Sequence, residues 1–187
     1  MGYIEDYVHY NRNHGSPEWY HRWCGIYTVG CALGRRVWWG DRANSPIFPN
    51  LYIILVGPQG LLYKSTCVSR ARAVVDTAGV TSILADSGTK QGIMLRIKRL
   101  QIPLPRDVIR HTDVVRGAEG AFFVRELSDL LGSGKKVDDE LLLWLQTWFD
   151  SRVDAEPWQY DTVVRQDDPD ILYKLYISFL AGTTPRY

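Results

Sequence analysis

Apolar positions follow two different rhythms along this chain. Ile4, Tyr7 and Val8, with Asn11 at the fourth position, keep the i, i+3, i+4, i+7 spacing of one helix face. Ser16-Pro17-Glu18 predicts a second helix start, with Ser as N-cap, Pro in the first turn and an acid at the positive end of the dipole. That helix runs from Pro17 to about Leu33 and carries Trp19, Trp23, Ile26, Tyr27 and Gly30. Gly34 reads as its C-cap, with Arg35 and Arg36 just beyond. Breakers at Asp41, Asn44-Ser45-Pro46 and Pro49-Asn50 predict a loop over 40–50. Then Leu51–Val56 runs apolar without alternation, the pattern of a strand buried on both faces, and Gly57-Pro58-Gln59-Gly60 stops it.

The alternation of strands and helices continues. A helix is predicted from Lys64 to Ala78, closed by Gly79, then a short strand over Thr81–Ala85. Asp86-Ser87-Gly88-Thr89 turns into a helix over 90–99, and 101–118 reads as a connection. Ala121–Val124 is a third strand, followed by a helix over Glu126–Leu131 and an exposed loop over 132–136. Asp138-Asp139-Glu140 opens a helix with Leu141, Leu142, Leu145, Trp148 and Phe149 on it. Residues 151–170 read as turn-rich, and Leu175–Leu180 is a fourth strand ending in Ala181-Gly182-Thr183-Thr184-Pro185. Such an order predicts an α/β fold, a parallel sheet with helices on both faces joined by right-handed crossovers. The expected division is an N-terminal helical segment over 1–48 and an α/β domain over 49–187.

Composition narrows the function classes. With 22 Lys and Arg against 21 Asp and Glu, the formal net charge of +1 excludes a strongly basic nucleic-acid coat. Seven Trp and eleven Tyr argue against disorder. Cys24, Cys31 and Cys67 form no CxxC pair and read as reduced thiols, the first two as core on one helix face. His9, His14, His21 and His111 lack metal-ligand spacing. The N-terminus has no basic stretch before an apolar run, and no apolar run approaches the roughly 20 residues of a membrane span. A soluble cytoplasmic protein is therefore expected.

The chemistry concentrates at strand ends. Gly57-Pro58-Gln59-Gly60-Leu61-Leu62-Tyr63-Lys64-Ser65-Thr66 follows a strand and opens a helix, the context of a phosphate loop. Glycines let backbone N–H groups face a phosphate, the helix N-terminus adds positive field, and Lys64 at the helix start reaches the outer phosphates. The next hydroxyl, Ser65, suits Mg²⁺. Tyr63 departs from the G-x-x-x-x-G-K-[ST] pattern at the last glycine. A side chain there resists positive φ, so the loop is expected to bend differently or bind more weakly. A phosphate-transfer site also needs a carboxylate on a neighbouring strand end, and Ala121-Phe122-Phe123-Val124-Arg125-Glu126 offers Glu126, with Asp129 as a substitute and Arg125 where an Asp is usual. Glu126 reads equally as a helix N-terminal acid. Thr183 and Thr184 end the last strand, where Thr184 could sense a terminal phosphate or simply form a turn. Asp86 reads as a turn cap or an auxiliary acid. Arg35, Arg36, Trp38 and Trp39 form a basic aromatic cluster that suits single-stranded nucleic acid or a helix end tucked into the core.

Taken together, Pro49-Asn50-Leu51-Tyr52, Val56-Gly57-Pro58-x-Gly60 and Lys64-Ser65-Thr66 resemble the phage and prophage P-loop ATPases of the primase-associated helicase and DNA-replication type. The stretches Trp23 through Trp38, Leu84–Thr89 and Leu180–Pro185 are similar to that family's lead-in, second strand and late strand. Relatives of this kind carry an extra residue before the Lys-Ser/Thr. The resemblance implies Mg·ATP held by residues 57–66, metal at Ser65 and Glu126, and catalysis by Lys64, Glu126 and Thr184. It further implies single-stranded DNA as partner, a homo-oligomer, and the cytoplasm of a bacterial host. Only three residues follow Thr184, so the core is expected to be incomplete at its C-terminus, without a further strand or arginine finger. A terminase-like packaging ATPase and a non-catalytic interaction module with a degenerate loop are the alternative expectations.

Overall fold

Helix α1 (Tyr3–Asn11) carries Glu5 and Asp6 in its first turn and His9 in its last, the charge order a helix dipole favours. A 3-10 turn (Arg12–His14) and Gly15 lead to α2 (Glu18–Leu33). Ser16 does not cap α2: Pro17 occupies the N-cap position, extended at φ −56° and ψ 139°, and its carbonyl receives the Tyr20 N–H at 3.0 Å. The chain then forms β1 (Tyr52–Val56), α3 (Lys64–Ala78) and β2 (Ser82–Ile83). Helix α4 (Lys90–Leu100) is capped by the Thr89 hydroxyl, which accepts from Gly92 N at 3.2 Å. Within the stretch expected as pure connection, β3 (Ile102–Pro103) and β4 (Val114–Arg116) pair antiparallel. β5 (Glu119–Val124) leads to α5 (Leu127–Leu131), and Asp138 caps α6 (Asp139–Phe149) through Leu141 N at 3.0 Å. A second antiparallel pair, β6 (Trp158–Tyr160) and β7 (Asp170–Leu172), precedes β8 (Tyr176–Thr183). The computed structural model describes residues 2–41, 44–84, 89–103, 114–132, 138–150, 158–160 and 170–185.

The main sheet has the order β1-β8-β5-β2, and every pairing is parallel. Phe179 on β8 lies opposite Tyr52 of β1 on one side and Phe122 of β5 on the other. The last strand is thus central rather than at an exposed edge. Conversely β1 is an edge, not a strand buried on both faces: Ile54 and Val56 are 48% and 49% exposed. Its apolar run is real, but half of it looks outward.

Alternate residues of each strand feed two cores. On one face Phe122, Val124, Ile177 and Phe179 meet Ile93, Met94 and Ile97 of α4, Leu130 and Leu131 of α5, and Leu141, Trp144 and Trp148 of α6. On the other, Leu55, Ala121, Phe123 and Leu180 meet Tyr20, Cys24, Tyr27 and Cys31 of α2 and Cys67, Val68, Ala71 and Val75 of α3. The N-terminal helices therefore form one layer with α3 over that face. From β1 the chain crosses to the far edge by α3 on one face, then returns through α4, α5 and α6 on the other. Reversing direction while keeping one crossover hand requires this change of face. It opens a crevice at the carboxyl ends of β1, β8 and β5, where helices depart to opposite sides. Among the described residues no helix is long and apolar enough to cross a membrane.

Candidate functional site

Three contacts and two left-handed backbone positions set the turn after β1. The buried Tyr20 hydroxyl donates to Val56 O at 2.6 Å, and burial raises its pKa. Gly57 N donates to Thr183 O at 3.2 Å, carrying the β1–β8 pairing one residue past the strand. Leu62 folds back under the turn, so a β-carbon on Gly57 would lie 2.6 Å from Leu62 Cδ1. Gly60 takes φ +76°. Against the expectation from its side chain, Tyr63 also takes a positive φ, at 46° with ψ 36°. A non-glycine residue held there costs about 1–3 kcal/mol. Two things support it. Its carbonyl accepts from Thr66 N at 3.1 Å and Cys67 N at 3.2 Å, so the strained residue starts α3. Its ring lies on Gly15, where a β-carbon would sit 3.0 Å from Tyr63 Cε2.

Lys64, the first residue of α3, is only 7% exposed. Its ammonium donates to Gly57 O at 2.7 Å, Pro58 O at 3.0 Å and Thr184 Oγ1 at 3.5 Å. Thr184 N in turn donates to Glu126 Oε1 at 3.2 Å. Glu126 holds the N-cap position of α5 but makes no cap bond; its carboxylate goes across the sheet to Thr184. Close approach of β5 and β8 makes this reach short. A β-carbon on Gly182 would lie 2.7 Å from Arg125 O and 3.4 Å from Lys64 Cβ. Lys64, Thr184 and Glu126, set by the ends of β1, β8 and β5, therefore form one hydrogen-bonded line.

That line borders a cleft of about 430 Å³, lined by Gln59, Gly60, Tyr63, Lys64, Ser65, Arg125, Glu126, Asp129 and Thr184. The volume suits a small ligand. Of the expected phosphate-loop residues, Gly57 and Pro58 contribute carbonyls to Lys64, Leu62 packs inward and Leu61 is exposed. Thr66 lies beyond the lining, in the first turn of α3. The Ser65 hydroxyl and the Glu126 and Asp129 carboxylates bring hard oxygen donors to one cleft, a set that fits Mg²⁺ rather than a soft metal. Among the described residues no three His, Cys, Asp or Glu side chains converge, so such an ion would take most of its ligands from phosphate and water.

No protein-family model, curated protein or solved structure matches the chain.

The other expected residues are placed elsewhere. Arg35 is buried, donates to Leu175 O at 2.8 Å and stacks on Phe48 at 3.9 Å, so it is a structural cation and not a nucleic-acid contact. Arg36 bonds Ala32 O, while Trp39 is exposed and pairs with Ile47 through backbone bonds. Cys24, Cys31 and Cys67 are all buried, and burial pushes the Cys31 thiol up to about 12. His21 is buried with Nδ1 3.8 Å from Cys67 Sγ, and His14 faces Arg70 at 3.3 Å. Asp86 and His111 lie outside the described residues. A second cavity, about 570 Å³, lies beside Tyr52, Ile54, Leu142, Leu145 and Phe149, and is apolar apart from Gln146 and Asp150. Sequence reasoning missed Tyr20 and Gly182 as parts of the loop's frame. It saw Arg125 only as a substitution, although its place directly before Glu126 was the signal.

Proposed function

We propose that this chain binds Mg·ATP at the cleft and hydrolyses it, as the nucleotide-binding domain of a phage-type DNA-replication ATPase. The convergence of Lys64, Thr184 and Glu126 on one cleft carries the reading. Lys64 and Glu126, 62 positions apart in sequence, and Thr184, 58 positions further on, meet at one polar cleft through hydrogen bonds. In this reading Lys64 and the first N–H groups of α3 neutralise the phosphates, and Ser65 with Glu126 orients the ion. Glu126 accepts the proton of the water that attacks the terminal phosphorus, and Thr184 positions it. Catalysis is mainly positioning and charge neutralisation. The resemblance of Pro49–Thr66 and Leu180–Pro185 to replication ATPases supplies the remainder: a single-stranded DNA partner, self-association through this domain and a bacterial cytoplasm.

Calorimetric titration of Mg·ATP into the parent and into Lys64→Ala tests the nucleotide reading. The expected loss in the variant is at least about tenfold, or ~1.4 kcal/mol. Turnover raised by single-stranded DNA then tests the replication role. One observation favours a second reading, a non-catalytic interaction module. Lys64 already satisfies its ammonium with its own loop carbonyls. A folded parent that binds no nucleotide establishes that alternative.

A further inference from the structure

Resting on the nucleotide reading above, we propose that Arg125 is the second phosphate-binding cation of the cleft. It reads the outermost phosphate, so the site selects nucleoside triphosphates over diphosphates.

Charge is the first argument. The cleft holds two carboxylates, Glu126 and Asp129, and a single lysine, Lys64. Arg125 adds a second cationic side chain beside Lys64 to a lining whose carboxylates would be offset by Mg²⁺. Availability is the second. Arg125 is exposed and adjoins Glu126 in the chain, yet among the described residues its guanidinium makes no ion pair with either carboxylate. A planar fork of donors left open beside a polar cleft suits bidentate contact with a phosphate.

Position is the third. Arg125 follows β5 directly, and β5 is separated from β1 by β8 alone. Two strand spacings put it about 10 Å across the sheet from the phosphate loop. A phosphate chain anchored at Lys64 and the start of α3 runs over the end of β8, past Thr184, and its far end meets Arg125. The backbone there is fixed. Arg125 O packs against Gly182, and the following carboxylate is tied to Thr184 N at 3.2 Å. The side chain thus swings from a rigid root.

The test compares Mg·ATP and Mg·ADP binding by calorimetry in the parent, Arg125→Gln, Arg125→Lys and Lys64→Ala, with circular dichroism as the folding control. Arg125→Gln should lose about tenfold or more in ATP affinity while ADP changes by less than about twofold. Arg125→Lys, which keeps the charge and loses the fork, should fall between and serves alone if the Gln variant unfolds. Lys64→Ala should weaken both nucleotides. Equal losses of ATP and ADP in the Arg125 variants, or none, overturn the proposal and leave the nucleotide reading standing. A parent that binds neither nucleotide overturns both.

Discussion

Tyr63 holds a bulky side chain at a backbone position that favours glycine, and the cost is local. Glycine there relieves the clash but loses the ring's contact with Gly15 and frees the unfolded chain; a β-branched residue deepens the clash. Tyr63→Val is therefore expected to be about 1–2 kcal/mol less stable than Tyr63→Gly, measured by urea unfolding. Equal stabilities would show that the loop relaxes out of the left-handed region. At this scale the sequence singles out Lys64, because a cation at a helix start opposes the dipole and needs another reason to be there, and the structure buries its ammonium against the carbonyls of Gly57 and Pro58. The sequence was misread for Tyr63. Backbone preference is local, whereas Gly15 and the first bonds of α3 hold that residue from outside its own window. The place of Arg125 beside Glu126 was legible, but its distance from the phosphate loop was not, because that depends on which strand lies between β5 and β1.

Among elements, the contact between α2 and α3 carries a titrating group. His21 on α2 is buried against Cys67 on α3, and among the described residues its Nε2 has no hydrogen-bond partner. Burial lowers its pKa below the ordinary 6.5, with His14 and Arg70 adding to the effect. The unfolded chain then binds the proton more readily. The stabilisation is complete above about pH 6.5 and is lost as pH falls from there toward the folded value. Urea midpoints for the parent should fall between about pH 7 and 5, and His21→Phe should flatten that fall. An unchanged slope in the variant would assign the loss to other groups. Element boundaries were mostly legible, since caps such as Thr89 and Asp138 are chemical marks in the sequence. The exposure of β1 was not. An unbroken apolar run reads the same whether one face of the sheet is covered or both, and only the packing of helices on each face decides.

At the level of the whole molecule, the N-terminal helices and the sheet share hydrogen bonds as well as apolar contacts. The Tyr27 hydroxyl donates to Phe122 O at 2.9 Å and the Tyr176 hydroxyl to Gly30 O at 2.8 Å, both buried. Each is worth about 1 kcal/mol net. Unfolding is expected to be one transition, with tryptophan fluorescence and far-ultraviolet circular dichroism giving the same midpoint. Two separated midpoints would mean that the helical segment over 1–48 folds as its own unit. Strand order itself was beyond the sequence, because nothing in Tyr176–Thr183 names its neighbours.

The placement of β8 has a consequence for how the chain reaches this state. A ribosome releases β1, β2 and β5 before β8, and among the described residues β1 pairs in the main sheet only with β8. Until that strand arrives, Tyr52–Val56 is an uncharged apolar ribbon without a ladder partner, the kind of segment that pairs with another nascent chain. The central pairings span more than a hundred residues of sequence between β1 and β8, so closure is entropically late and slow. Lys64 and Glu126 are brought into line by the same event. Co-translational risk and the birth of the cleft therefore share one step, the insertion of a single strand.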